Sequence, residues 1–416
     1  QHRIKRWDTT MSKEKASSKL FWNLFFIYTA NIIGKTSFSA ATAALVSEQI
    51  LTKTEAGIIG GGFWLLYAIG QLLGAFLVNK MSAYTMINIS IVGATISNLL
   101  IPCVREFVPI LLLWGLNGIL QFGLWPSVLK LVSEEMVPKQ RASAMGQLAF
   151  CYCLGSVISY IFTAIILAFS AWEYIFICCG LVNGISLIPS LHGWRKCSPI
   201  LREVESATAR AEYEKGKLSW QIIWGSGLVF FCLFMIIKSM ADNGIKSWMP
   251  TIMVETYGAT PSFTSMLSVI LLIINLFGVV VTAYIFEKVR SDELKTLMIL
   301  YMTILPMMLL LINFRNMNIW ICTILMSLIT LLVYGSGQVI AMHYPGRFHK
   351  WNLTASVGAI INCFAAVGNM AATYFGGYIA DHFGWGVMIG VWNTLIILFV
   401  LITILIYPLW RKFRRQ

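Results

Sequence analysis

Three charged residues at steps of four, Lys238, Asp242 and Lys246, interrupt the otherwise apolar run FMIIKSMADNGIKSWMP over residues 234–250. That spacing puts all three on one face of a helix. A charge at the centre of a bilayer costs about 2.5–3.5 kcal/mol on insertion scales. Three together must therefore face water, a bound solute or one another. Two ammonium groups suit an anion, and a carboxylate between them suits either a cationic group or a proton. Of the 18 acidic residues, Asp242 is the one that falls outside loops, tails and helix ends.

A second buried charge precedes it in the chain. Within FWNLFFIYTANIIGKTSFSAATAALV, Lys35 lies too deep to extend comfortably to either surface, with Asn31 one turn back and Tyr28 a turn before that. Further polar or amphipathic side chains recur inside apolar runs: Gln71, Trp125, Tyr152, Tyr334, Gln338 and Asn362. Any one of these can simply bond a neighbouring helix. As a set with Lys35, Lys238 and Asp242 they define a candidate binding site for a small polar solute, with Asp242 also the candidate proton carrier. Trp64, Tyr67 and Gln71 share a stripe that suits the lining of a cavity, although a Trp/Tyr stripe is more often packing.

These side chains need elements that hold them at depth. The chain of 416 residues is 58% apolar and 12% charged, whereas soluble domains carry about 25% charged residues. Apolar runs of about 20 residues cross a bilayer as helices. Twelve are predicted, over 20–46, 56–79, 84–103, 108–132, 142–169, 171–191, 222–248, 262–286, 294–313, 318–342, 353–380 and 384–409. The expected architecture is an all-α membrane protein: a basic tail (1–19), a six-helix bundle (20–191), a linker with an interfacial amphipathic helix (192–219), a second bundle (220–410) and a basic tail (411–416). The halves repeat at an offset of about 208: Lys80 and Lys288 close equivalent spans, and Lys35 falls beside Asp242. One charge from each half is thus expected at a midplane site.

The net charge of +13 does not imply a nucleic-acid partner. With the amino terminus inside, 25 of the 31 Lys and Arg residues fall on the inner side, against Lys53, Arg105 and Arg315 outside. That asymmetry orients a membrane protein with both termini cytoplasmic and meets anionic lipid. The nine cysteines match no zinc or disulfide spacing, and no metal or cofactor is expected. The opening QHRIKRWDTT lacks an initiator Met and an apolar core, so the expectation is a vector or processing remnant rather than a signal peptide, with Met11 the expected start. No nucleophile–base constellation, metal cluster or phosphate-cradling loop is read in the sequence, so an enzyme is not expected.

Five stretches carry a family resemblance: YTANIIGKTSFSAATAALVSEQ (28–49), GLWPS (123–127), NGIKSWMPTIM (243–253), VYG (333–335) and GGYIADHFGW (376–385). With them the chain resembles the major facilitator superfamily over nearly its full length. More narrowly it is similar to the organophosphate:phosphate antiporter branch. The resemblance implies two pseudo-symmetric six-helix bundles, alternating access, an inner bacterial membrane and a monomer. It also exposes departures. The branch's first-helix arginine corresponds to Lys35, its seventh-helix arginine to Asp242, its fifth-helix histidine to Tyr152 and its second-helix lysine to Gln71, while Trp125 and Tyr334 match. The acidic residue of the loop after the second span corresponds to Asn79, with Glu287 its second-half counterpart. Without the paired arginines a phosphate dianion cannot be clamped in the branch's manner. The expected substrate is a singly charged organic anion, a carboxylate or sulfonate, or a zwitterion. The expected coupling is proton symport, with anion exchange and a transporter-like sensor as the rivals.

Overall fold

Amide groups in hydrocarbon have no water to bond, so a membrane-crossing chain must satisfy them within its own helices. The computed structural model describes residues 13–77, 80–193, 220–348 and 353–414. The first twelve residues, Asn79, most of the 192–219 linker and the last two residues lie outside them. Among the described residues there are twelve long helices and no strand. In chain order these are α1 Lys13–Ser47, α2 Lys53–Leu77, α3 Ala83–Leu100, α4 Phe107–Glu135, α5 Pro138–Phe169 and α6 Glu173–Leu191. The second six are α7 Leu228–Tyr257, α8 Pro261–Lys288, α9 Glu293–Leu311, α10 Ile319–Gln338, α11 Thr354–His382 and α12 Gly384–Arg414.

Eleven of these are long and apolar enough to cross a membrane. The exception, α1, is also the longest at 35 residues. Its mean hydropathy is lowered by Asn31, Lys35, Ser37 and Thr42, all buried against other helices rather than presented to lipid. By contrast Phe76, Phe169 and Leu405 are exposed by 75%, 89% and 77%, as side chains facing hydrocarbon should be.

Local sequence breaks two helices where the site needs it. In α4 the residues Gln121–Gly123 tighten into a 3-10 turn before Pro126, since proline supplies no amide to continue the α-helical ladder. The turn carries Trp125, and the Gln71 side-chain amide donates to the Gln121 carbonyl at 3.2 Å. In α7 Pro250 leaves the carbonyl of Lys246 without its usual donor. The Tyr160 hydroxyl, from α5, approaches that carbonyl at 3.5 Å.

Within the first half α1 packs on α5 and α6, α2 on α4, and α3 on α6; within the second, α7 packs on α11, α8 on α10, and α9 on α12. The halves meet through α2 against α11, α5 against α8, and α1 against α7. Under the 208-residue offset, α2 corresponds to α8 and α5 to α11, so the first two contacts are images of one another. Buried amides secure neighbours as polar groups do in membranes: Ser37 donates to Asn98 at 2.8 Å, and Thr330 to Asn275 at 3.0 Å.

Polar contacts between the halves gather at the end remote from the chain termini. There the Lys53 ammonium pairs with Glu255 at 3.1 Å, and Glu255 also accepts from the Trp385 indole at 2.7 Å. The Thr54 hydroxyl donates to Asp381 at 2.7 Å and Ser262 to the Ala164 carbonyl at 2.6 Å. Helices α2 and α11 touch backbone to backbone: a Cβ on Gly57 would meet the Thr373 carbonyl at 2.7 Å, and one on Gly377 would overlap the Lys53 carbonyl. This end is clasped shut.

One ion pair ties α9 to the segment following α10. Arg347 Nε donates to Glu293 Oε1 at 2.7 Å, and its Nη2 donates to Glu293 Oε2 at 3.3 Å and to the Ser291 carbonyl at 2.7 Å. Glu293 is fully buried.

Candidate functional site

The lysines and aspartate of α7 form a closed triad. Lys238 Nζ lies 2.8 Å from one Asp242 oxygen and Lys246 Nζ 2.5 Å from the other. Four-residue steps make this the shortest path to neutralisation, because each ammonium reaches the carboxylate along its own helix face. The triad is thoroughly buried, Lys238 being 8% and Asp242 7% exposed. The stem of Lys238 lies where Gly337 of α10 has no side chain; a Cβ there would meet its Cε at 2.9 Å. Tyr334, also on α10, presents its ring 4.4 Å from the Lys246 ammonium and 5.7 Å from that of Lys238. Three ionised groups therefore leave one net positive charge on α7.

Lys35 is arranged differently. Its ammonium, also 8% exposed, sits over the Tyr67 ring at 3.6 Å, with the Trp64 ring at 4.6 Å and the Phe63 ring at 5.7 Å. Among the described residues no carboxylate lies within 4 Å of it, since both oxygens of Asp242 belong to Lys238 and Lys246. A desolvated cation–π contact is worth about 2 kcal/mol, while burying an ammonium at mid-membrane costs about 2.5–3.5 kcal/mol. The aromatic seat thus offsets only part of the burial cost. Asn31, one turn away, is 1% exposed, and its side-chain nitrogen has no protein acceptor among the described residues.

A cluster of tyrosines joins the two charged groups. Tyr28 packs its ring 5.1 Å from that of Trp125 and lies within electrostatic range of Tyr67, Tyr152 and Tyr334. Tyr152 is likewise in range of Asp242, Tyr334 and Tyr67. Side chains from α1, α2 and α5 thereby face side chains from α7 and α10 across the boundary between the halves. The arrangement has an excess of positive charge, hydroxyl groups of both donor and acceptor character, and flat aromatic faces. That is a set suited to a small anion with several hydroxyls.

The remaining sequence-chosen residues scatter. Gln71 is occupied with the α4 turn, Gln338 is half-buried, and Asn362 is exposed on α11. Lys35 and Asp242, which the offset placed beside one another, each have other immediate neighbours: Asp242 is held by Lys238 and Lys246 of its own helix and Lys35 sits on the aromatic rings of α2. Sequence reasoning passed over Trp64 and Tyr67, whose signal was the shared stripe with Gln71, and left Lys246 out of the site although its spacing from Asp242 was plain.

Comparison with known proteins agrees with this architecture. The Major Facilitator Superfamily profile matches residues 24–362. A probable hexose phosphate transport protein of Chlamydia pneumoniae is 22% identical over 88% of this chain and 86% of its own length. The hexuronate transporter of Bacillus subtilis is 23% identical over 90% of each chain. Among solved structures, a bacterial homologue of the human lysosomal transporter Spinster, in an inward-facing and occupied conformation, superposes with a TM-score of 0.73 at 14% identity, over 96% of this chain and 97% of that one. With the profile covering most of its length, the chain belongs to the major facilitator superfamily.

Proposed function

We propose that this protein moves a small, singly charged organic anion, a hydroxylated carboxylate such as a sugar acid, by rocking its two halves about the tyrosine-lined site. It is a transporter, not an enzyme. The observation that carries the substrate class is Lys35: a buried ammonium with an aromatic seat and, among the described residues, no carboxylate partner. A substrate carboxylate supplies the missing counter-charge, and sugar hydroxyls have Asn31, Tyr28, Tyr152 and Tyr334 to bond. The relatives support an anionic cargo, one being a hexuronate transporter and another a probable hexose phosphate carrier. The lysine triad supports the singly charged class, because Asp242 already engages the second pair of cations. The basic inner loops support an inner bacterial membrane with both termini cytoplasmic, and we take the monomer as the working unit.

Counterflow in proteoliposomes tests the substrate class. Vesicles preloaded with D-glucuronate or D-galactonate are expected to accumulate the labelled sugar acid transiently, and vesicles without protein are not. Absence of counterflow for every sugar acid, in protein shown to be folded, contradicts the proposal. The same vesicles read the coupling. If an inward proton gradient speeds uptake by the parent and not by Asp242→Asn, the proton travels on this carboxylate; equal stimulation of both removes Asp242 from that role, and none in either leaves exchange.

The clasp at the far end predicts a modest shift in the resting conformation. The Lys53–Glu255 pair is partly exposed, and such pairs are worth about 0–1 kcal/mol. Glu255→Gln is therefore expected to raise the population open at that end by up to about fivefold. Spin-label distances between the ends of α2 and α7 measure it. A distribution identical to the parent's would show that the pair contributes nothing to closure.

A further inference from the structure

Resting on the reading of this site as a holder of small organic anions, we propose that Asp242 is a resident counter-anion that fixes how many negative charges the site accepts. Its two oxygens occupy the two ammonium groups, Lys238 at 2.8 Å and Lys246 at 2.5 Å, that would otherwise be free to hold the second charge of a dianion. Lys35, seated on Tyr67 and Trp64, is left as the cation without a partner. A monoanion bound there meets one uncommitted positive charge. A dianion must either leave its second charge unsatisfied or compete with a carboxylate that is covalently fixed in place and loses no translational freedom in binding. Repulsion by Asp242 also scales with ligand charge, so a dianion feels it twice as strongly as a monoanion at the same position. Gly337 and Tyr334 pack against the triad from the α10 side.

The discriminating pair of probes is glucose 6-sulfate and glucose 6-phosphate at pH 8. They share one shape, but the sulfate ester carries one charge and the phosphate ester, with a second pKa near 6, carries two. Binding to purified protein is read by ligand-induced thermal stabilisation, which gives affinities by mass action, with D-glucuronate as a third probe. The parent is expected to bind the sulfate at least fivefold more tightly than the phosphate. In Asp242→Asn that ratio is expected to move at least tenfold toward the phosphate, and in Asp242→Glu to stay within about twofold of the parent.

Releasing two repelling lysines can itself harm folding, so a second variant is made. Asp242→Asn with Lys246→Gln leaves Lys35 and Lys238 as the two charges and so keeps the net charge of the group, yet it removes the resident anion. The same shift toward phosphate is expected there. A sulfate-to-phosphate ratio unchanged from the parent in whichever of these variants folds would overturn the proposal. A parent protein that binds neither glucuronate nor the sulfate would instead overturn the underlying substrate class. The two failures are thus read on different proteins.

Discussion

Replacing Lys35 with methionine is expected to lower the affinity for sugar acids at least about thirtyfold while leaving the protein as stable as the parent, or more so. The two halves of that expectation come from one fact, the burial of an ammonium with no carboxylate beside it. Truncating one partner of a buried charge pair costs about 2–5 kcal/mol in binding, and each 1.4 kcal/mol is about tenfold. Stability moves the other way because exchanging a buried ion for an apolar side chain of similar volume is often neutral or favourable. A lysine whose purpose was to hold helices together would show the reverse, lost stability with residual binding. Lys35→Arg is expected to keep much of the affinity, since the charge remains and a planar guanidinium also stacks on aromatic faces such as those of Tyr67 and Trp64. Uptake and thermal denaturation measured on the same preparations separate the two cases.

Removing Arg347 is expected to cost about 3 kcal/mol of stability. Its partner Glu293 is fully buried, with both oxygens bonded to the guanidinium. Arg347→Ala strands that carboxylate, the situation in which a broken buried pair costs about 3–5 kcal/mol. Arg347 is itself 37% exposed, so water can reach part of the gap and the lower end of that range applies. A fall of roughly 3–4 °C in the midpoint of detergent-solubilised protein corresponds to that loss in a chain of this length. Adding Glu293→Gln to Arg347→Ala is expected to recover much of it, because the amide carries no charge to strand. If the single variant melts with the parent, the pair does not hold α9 to the end of α10.

Much of the fold was readable in the sequence because lipid makes the rule simple: a long apolar run has no alternative to a helix. What blurred was the ends. Helix α1 is already helical at Lys13, ahead of the expected start near residue 20, and α12 is still helical at Arg414, since charged and amphipathic turns extend a helix past the hydrocarbon without raising its hydropathy. The 3-10 turn at Gln121–Gly123 was hinted at only by Pro126. In the site, residue types and depth were readable and partners were not. Lys238, Asp242 and Lys246 announced a shared face, while the repeat offset placed Lys35 beside Asp242 without saying which groups pair. Sequence offset aligns positions along two helices but says nothing about which way each side chain leans. Contacts four residues away on the same helix had the shorter reach, and Lys35 settled on the aromatic stripe of α2. Trp64 and Tyr67 were read as packing because such stripes usually are, and the chain alone did not show that a buried cation stood opposite them.

The most direct test of the central claim is the position of a bound sugar acid in an experimental density map of the protein with D-glucuronate. The account predicts the carboxylate within hydrogen-bond reach of Lys35 Nζ, its ring among Tyr28, Tyr67, Tyr152 and Tyr334, and Asp242 still held by Lys238 and Lys246. A carboxylate seated on Lys238 and Lys246 with Asp242 displaced, or a ligand nowhere near Lys35, would contradict it.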